Sequence, residues 1–157
     1  MKNDTAKKQP PLKAANTKKL NERWGQDSIK AGWTAIPSVI LERQQSLGLN
    51  AMDLAIIMHL VKHWWEAERN PYPSKRRICE AMGISESTMR KHVAKLQKAG
   101  LVNRAPKYLP GTKGVISNEY DLSGLVKRSK KLAQEALEIR KGRDRTASQL
   151  RRKKVEK

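Results

Sequence analysis

The side chains with the most to offer chemically fall between residues 74 and 113. Ser74-Lys75-Arg76-Arg77 opens a short apolar-periodic run, Gly83-Ile84-Ser85 interrupts it, and a second run extends from Glu86 to Ala99. At helical spacing Ile78, Met82, Ile84, Met89, Val93 and Leu96 fall on one side. Glu86, Ser87, Arg90, Lys91 and Lys95 then fall on the other. A guanidinium, two ammonium groups, a hydroxyl and a carboxylate on one exposed face can bond to base edges and phosphates. They make neither a nucleophile with its base nor a paired acid and base. Arg90 is the expected reader of guanine through a bidentate contact, worth about 1–3 kcal/mol of discrimination. Glu86 either accepts from a cytosine amino group or repels phosphates and tunes register. Ser85, Ser87 and Thr88 suit phosphate or a thymine methyl. Lys75, Arg76 and Arg77 are a basic cluster at the start of the first run, suited to phosphates, and Arg104, Lys107 and Lys113 follow on the next segment.

Other constellations have less behind them. His59 and His63 are four apart on one helix, a spacing that can hold a metal. Leu60, not a glutamate, follows His59, and no cysteine or carboxylate completes a site, so a polar helix edge is expected and no metal or cofactor. Trp64-Trp65 could wall a ligand pocket, but aromatic core packing is the better reading. Cys79 follows three basic residues that would favour its thiolate, yet its inward position suits a small core side chain. There is no phosphate-cradling glycine loop, nucleophile elbow or catalytic carboxylate pair, and an enzyme is not expected.

The elements that must position these residues can be read from turn and cap signals. Ser38 to Ser46 suits a helix with Pro37 before it, ending near Gly48. Asn50 with Asp53 marks the start of another, in which Leu54, Ile57, Met58, Val61 and Trp65 recur at helical spacing and Ile56, Leu60 and Trp64 widen the stripe. That helix is expected to stop before Asn70-Pro71. Gly83 can close the helix before it in the left-handed conformation, and Ser85 can cap the next. Gly100 ends that helix. Leu101-Val102 begins an extended segment, Gly111-Thr112-Lys113-Gly114 turns it, and Val115-Ile116 to Tyr120 returns, which makes a hairpin. A last helix starts near Asp121 or Ser123.

A tight turn between two helices, followed by a hairpin, is the plan of a winged helix-turn-helix. The stretch ICEAMGISESTMRKHVAKLQKAGLV, from Ile78 to Val102, resembles the winged helix-turn-helix of bacterial regulators of the GntR and MarR type. Gly32-Trp33, Ile36-Pro37, Tyr72-Pro73-Ser74 and Asn118-Glu119-Tyr120-Asp121-Leu122 are similar to helix-turn-helix domains of plasmid and phage replication or regulatory proteins. The resemblance implies a recognition helix at about 85–99 and a wing at about 101–120. Two positions depart from the pattern: Cys79 stands where alanine is usual, and His92 where a small residue is common.

Charge agrees with a polyanionic partner. The 157 residues carry a formal net charge of +19, from 34 Lys+Arg against 15 Asp+Glu. Residues 1–20 contribute +5 and residues 127–157 contribute +9, leaving +5 for residues 21–126, which hold nearly all the large apolar side chains. Three segments are expected: a disordered basic extension (1–20), a winged helix-turn-helix (21–126), and a basic C-terminal helix and tail (127–157). The fold class is therefore mainly α with a small β-hairpin. In the last segment Leu122, Leu125, Ser129, Leu132, Ala136 and Ile139 alternate by three and four. That stripe suits either a coiled coil joining a homodimer or a helix packed on its own domain. Beyond Arg140 the stripe fails while the basic residues continue, so a tail that is helical only when bound is expected.

No apolar run approaches the roughly 18 residues of a membrane span, the start lacks an apolar signal core, and one cysteine excludes an internal disulfide framework. The expected setting is the bacterial cytoplasm or nucleoid and the expected partner double-stranded DNA. The function implied is sequence-specific binding in transcriptional regulation, with plasmid or phage replication initiation or partition as the alternative. An RNA-binding module has less support, since the sequence offers no evident exposed aromatic platform.

Overall fold

The structure is a computed structural model that describes residues 14–108, 111 and 114–155, with side chains described for 17–108, 111, 114, 115 and 117–147. Residues 1–13 and Lys113 lie outside the described residues. The chain forms α1 (Ala14–Trp24), α2 (Gln26–Ala31), α3 (Ser38–Glu42), α4 (Ala51–Lys62), α5 (Lys75–Met82) and α6 (Glu86–Lys98). Strands β1 (Asn103–Tyr108) and β2 (Val115–Asp121) and helix α7 (Ser123–Val155) follow.

Local chemistry explains the boundaries around the site. Asn50 Oδ1 accepts from Asp53 N at 2.8 Å while Asp53 Oδ2 accepts from Asn50 N at 2.9 Å, a reciprocal box that starts α4. Ser74 Oγ accepts from Arg77 N at the start of α5, and Ser85 Oγ accepts from Thr88 N at the start of α6. Between these two helices Gly83 adopts φ 63° and ψ 33°. Its N–H then reaches Glu80 O, and the Ile84 N–H reaches Cys79 O at 3.0 Å, so two carbonyls of the last turn of α5 are satisfied. A side chain with a Cβ is strained in that left-handed conformation, which is why a glycine sits at this turn.

The core forms where α4, α5, α6 and the start of α7 meet. Ile56, Ile57, Leu60, Ile78, Met89, Val93, Leu96, Leu101, Tyr120, Leu122 and Leu125 are buried, and Met82, Ile84, Val61 and Trp64 pack against them. All six residues expected on the inward side of the helix pair are in this set. Strands β1 and β2 pair antiparallel from Asn103↔Asp121 to Lys107↔Ser117, with an irregularity between Lys107 and Tyr108. Strand β2 is also fastened to the segment before α5: Tyr120 N donates to Pro71 O at 2.9 Å, and Ser117 Oγ to Tyr72 O and Pro73 O.

Four boundaries differ from the sequence reading. Residues 14–20, expected without a helix, belong to α1, which packs against α2. Helix α3 ends at Glu42, and the chain turns through to Gly48 while still burying Leu47 and Leu49. Helix α4 ends at Lys62, well before Asn70, because Asn70 to Pro73 must run beside β2. Helix α7 continues through Val155, past the end of its apolar stripe. Leu122, Leu125 and Ser129 are buried, and Leu132 packs on the core, so the first half of the stripe belongs to the chain's own domain. Leu137 and Ile139, further along, are exposed. Among the described residues no helix is long and apolar enough to cross a membrane.

Candidate nucleic-acid interface

The first turn of α6 begins with a cluster of hydroxyls. Ser85 Oγ lies 2.8 Å from Ser87 Oγ and 2.9 Å from Thr88 Oγ1, besides accepting the Thr88 N–H. The cap leaves Ser87 exposed and Thr88 half-buried at the helix N-terminus, where the backbone dipole favours an anion. Glu86 is already committed. Its carboxylate meets Lys75 Nζ at 2.5 Å, which ties the start of α5 to the start of α6. The Lys75 hydrogen bond holds the Glu86 carboxyl below its ordinary pKa, with help from the Lys75, Arg90 and Arg76 charges.

Arg90 and Lys91, one turn on, are exposed, and neither forms an ion pair with a described residue. They are the cationic groups of the outward face with their donors to spare. Arg76 bonds Glu80 at 2.7 Å on an exposed edge of α5. Such an exposed pair is worth little in water. Arg77 is also exposed on α5.

Lys95 departs from the expected pattern. Its ammonium bonds Asp53 Oδ2, across from α4, while His92 Nδ1 donates to Asp53 Oδ1 at 2.6 Å. Asp53 is fully buried. Burial by itself would raise its pKa; hydrogen bonds from Lys95, the Asn50 backbone and His92, together with the Lys95 charge, outweigh that and lower it. His92, which stands where a small residue is common in the family pattern, is thus half of a two-pronged grip on one carboxylate. No spacing in the sequence announces this network, although Asp53 at the third position of a capped helix marks one end of it.

On the hairpin, Arg104 is exposed, whereas Lys107 sits 3.3 Å from the centroid of the Tyr72 ring and 3.9 Å from Glu119. Lys107 therefore braces the wing against the segment leading into α5. Tyr108 and Val115, paired across the strands, are exposed at the outer end of the hairpin, an apolar feature that a search for charges overlooks. Cys79 is buried, and burial first and Glu86 second push its thiol pKa up, outweighing Lys75, so it is a core residue rather than a reactive thiolate. Trp64 packs against the core and also borders an open cleft with Asn70 and Val126. Among the described residues no three His, Cys, Asp or Glu side chains gather as a metal would require.

Two helices crossing at Gly83-Ile84-Ser85, with a paired hairpin directly after the second, settle the architecture. The fold is a winged helix-turn-helix. Residues 47–102, about a third of the chain, match a family described as helix-turn-helix domain. In shape the chain is similar to the N-terminal domain of DnaD protein from Geobacillus kaustophilus HTA426. The TM-score is 0.52 at 20% identity, over 73% of this chain and 93% of that one. No curated protein sequence matches the chain. In a helix-turn-helix the N-terminal residues of the second helix meet base edges. The corresponding stretch here is Ser85 to Lys91, the cap and the part of α6 not held by Asp53.

Proposed function

We propose that this chain is a sequence-specific, double-stranded DNA-binding protein that acts in transcriptional regulation. The observation that carries the reading is the exposed Arg90 and Lys91 on the N-terminal half of α6, ion-paired with no described residue, beside a turn that fixes how that helix projects. Arg90 reads a guanine; Lys91, Ser85, Ser87 and Thr88 meet phosphate or base edges. Glu86 reaches a cytosine amino group only by sharing its carboxylate with Lys75. Lys75, Arg76 and Arg77 hold the backbone from α5. Arg104 does so from the hairpin, Lys107 holds the hairpin's base in place, and Lys113, outside the described residues, is a further candidate for phosphate. The protein is a binding module and not an enzyme, working in the bacterial cytoplasm.

A second reading, replication initiation or partition of plasmid or phage DNA, draws on the resemblance of Tyr72-Pro73-Ser74 and Asn118 to Leu122 to domains of such proteins. Footprinting separates the two: one palindrome beside its own promoter supports regulation, and tandem repeats at an origin support replication. Preference for RNA over duplex would contradict both.

The C-terminal extension supplies affinity without information. Residues 141–157 hold eight basic and two acidic residues. Deleting them is expected to weaken binding to every duplex and to flatten log K against log salt, by about 0.9 for each phosphate no longer neutralised. A filter-binding titration across salt checks this, and an unchanged slope would mean that the extension does not touch DNA. Pairing of two protomers through α7 would rest on Ala133, Ala136, Leu137 and Ile139, since the earlier stripe is occupied. Sedimentation of the free protein distinguishes a dimer held there from a monomer.

A further inference from the structure

Lys91 and Lys95 are one turn apart on α6, so a helix bearing both as free charges would present a basic stripe to its C-terminal half. The stripe is cut short by a residue 42 positions earlier in the chain, on another helix. Asp53 has no exposed surface, and both its oxygens are used: Oδ1 by His92, Oδ2 by Asn50 N and Lys95. His92 and Lys95 are three apart and grip the carboxylate together, so turning α6 by one residue, about 100°, would break both contacts at once.

We propose that Asp53 is a positioning residue for DNA reading, which fixes the rotation of α6 and withdraws Lys95 from the phosphates, confining the basic face to Arg90 and Lys91. This rests on the DNA-binding reading above. The Lys95 side chain is still 47% exposed, so the charge is held by its partner and not hidden by depth. Freed from Asp53 it swings toward the duplex and adds one sequence-independent contact.

The test compares Lys95→Gln, Asp53→Asn and the double variant on a random-sequence duplex of about 30 base pairs, measuring the slope of log K against log salt. Glutamine retains a donor for Asp53, and asparagine an acceptor for Asn50 N. Lys95→Gln is expected to leave the slope within about 0.3 of the unmodified protein, because the charge it removes is not on a phosphate. Asp53→Asn is expected to steepen the slope by about 0.9, and the double variant to restore it, a reversal that a purely structural role for Asp53 does not produce. Flattening by about 0.9 in Lys95→Gln alone would overturn the inference, by placing Lys95 on the backbone, and would leave the DNA reading intact. That arm decides the matter even if Asp53→Asn does not fold. If the unmodified protein shows no salt-dependent duplex binding, the DNA reading itself fails.

Discussion

Gly124→Ala is expected to destabilise the protein by about 1–3 kcal/mol, although alanine in place of glycine ordinarily strengthens a helix by about 1 kcal/mol. Gly124 lies in the first turn of α7, where the helix rests on the turn that ends α6. A Cβ there would collide with Gly100 O and stand 3.0 Å from Gly100 C, both backbone atoms. The adjacent Leu125 N–H donates to Leu101 O at 2.9 Å, so α7 cannot retreat without breaking that bond. Gly142, in the same helix, has nothing within 4 Å of its would-be Cβ. Gly142→Ala should therefore stabilise by about 1 kcal/mol while Gly124→Ala does the reverse. Urea midpoints of the pair read the difference directly. Equal, small effects would mean that α7 does not seat on Gly100.

The second large effect is expected at Leu96. Its side chain is 1% exposed in the core, and its carbonyl accepts from Leu101 N at 3.0 Å, so it anchors both the helix pair and the chain's exit toward the hairpin. Leu96→Ala should cost about 2–5 kcal/mol, the transfer free energy of the deleted carbons plus the cavity left behind. A domain of this size has about 5–15 kcal/mol in total, so the variant will be marginal near 37 °C. The expected signature is a lowered urea midpoint with an unchanged m-value, and duplex binding that persists at low temperature and fails on warming. An unaltered midpoint would contradict the packing of α6 described above. Loss of binding in a fully folded variant would instead mean that the cavity lets α6 shift from the position in which it meets DNA.

The turn and its caps were legible because their chemistry is local. Asn50 with Asp53, Gly83 and Ser85 each act over a few residues, and each takes the conformation its type suggests. The inward set was legible because helical spacing alone sorts Ile78, Met89, Val93 and Leu96 from their polar neighbours. What escaped depends on contacts between distant segments. The early end of α4 follows from Pro71 and Tyr72 lying against β2, and nothing between Lys62 and Asn70 announces that pairing. The commitment of Lys95 and His92 to Asp53 depends on how α4 and α6 pack, which no periodicity encodes. Lys107 over Tyr72 is a similar case. The outward face was thus correctly placed as a face, but its charges were not all equally free.

Selection from random duplex pools, run in parallel with the unmodified protein and Arg90→Ala, tests the central claim most directly. The unmodified protein should enrich a motif. Arg90→Ala should lose preference at one or two of its positions, by about 1–3 kcal/mol, with binding to random duplex nearly intact. No enriched motif, or an equal loss on every sequence, would contradict reading by the N-terminal half of α6.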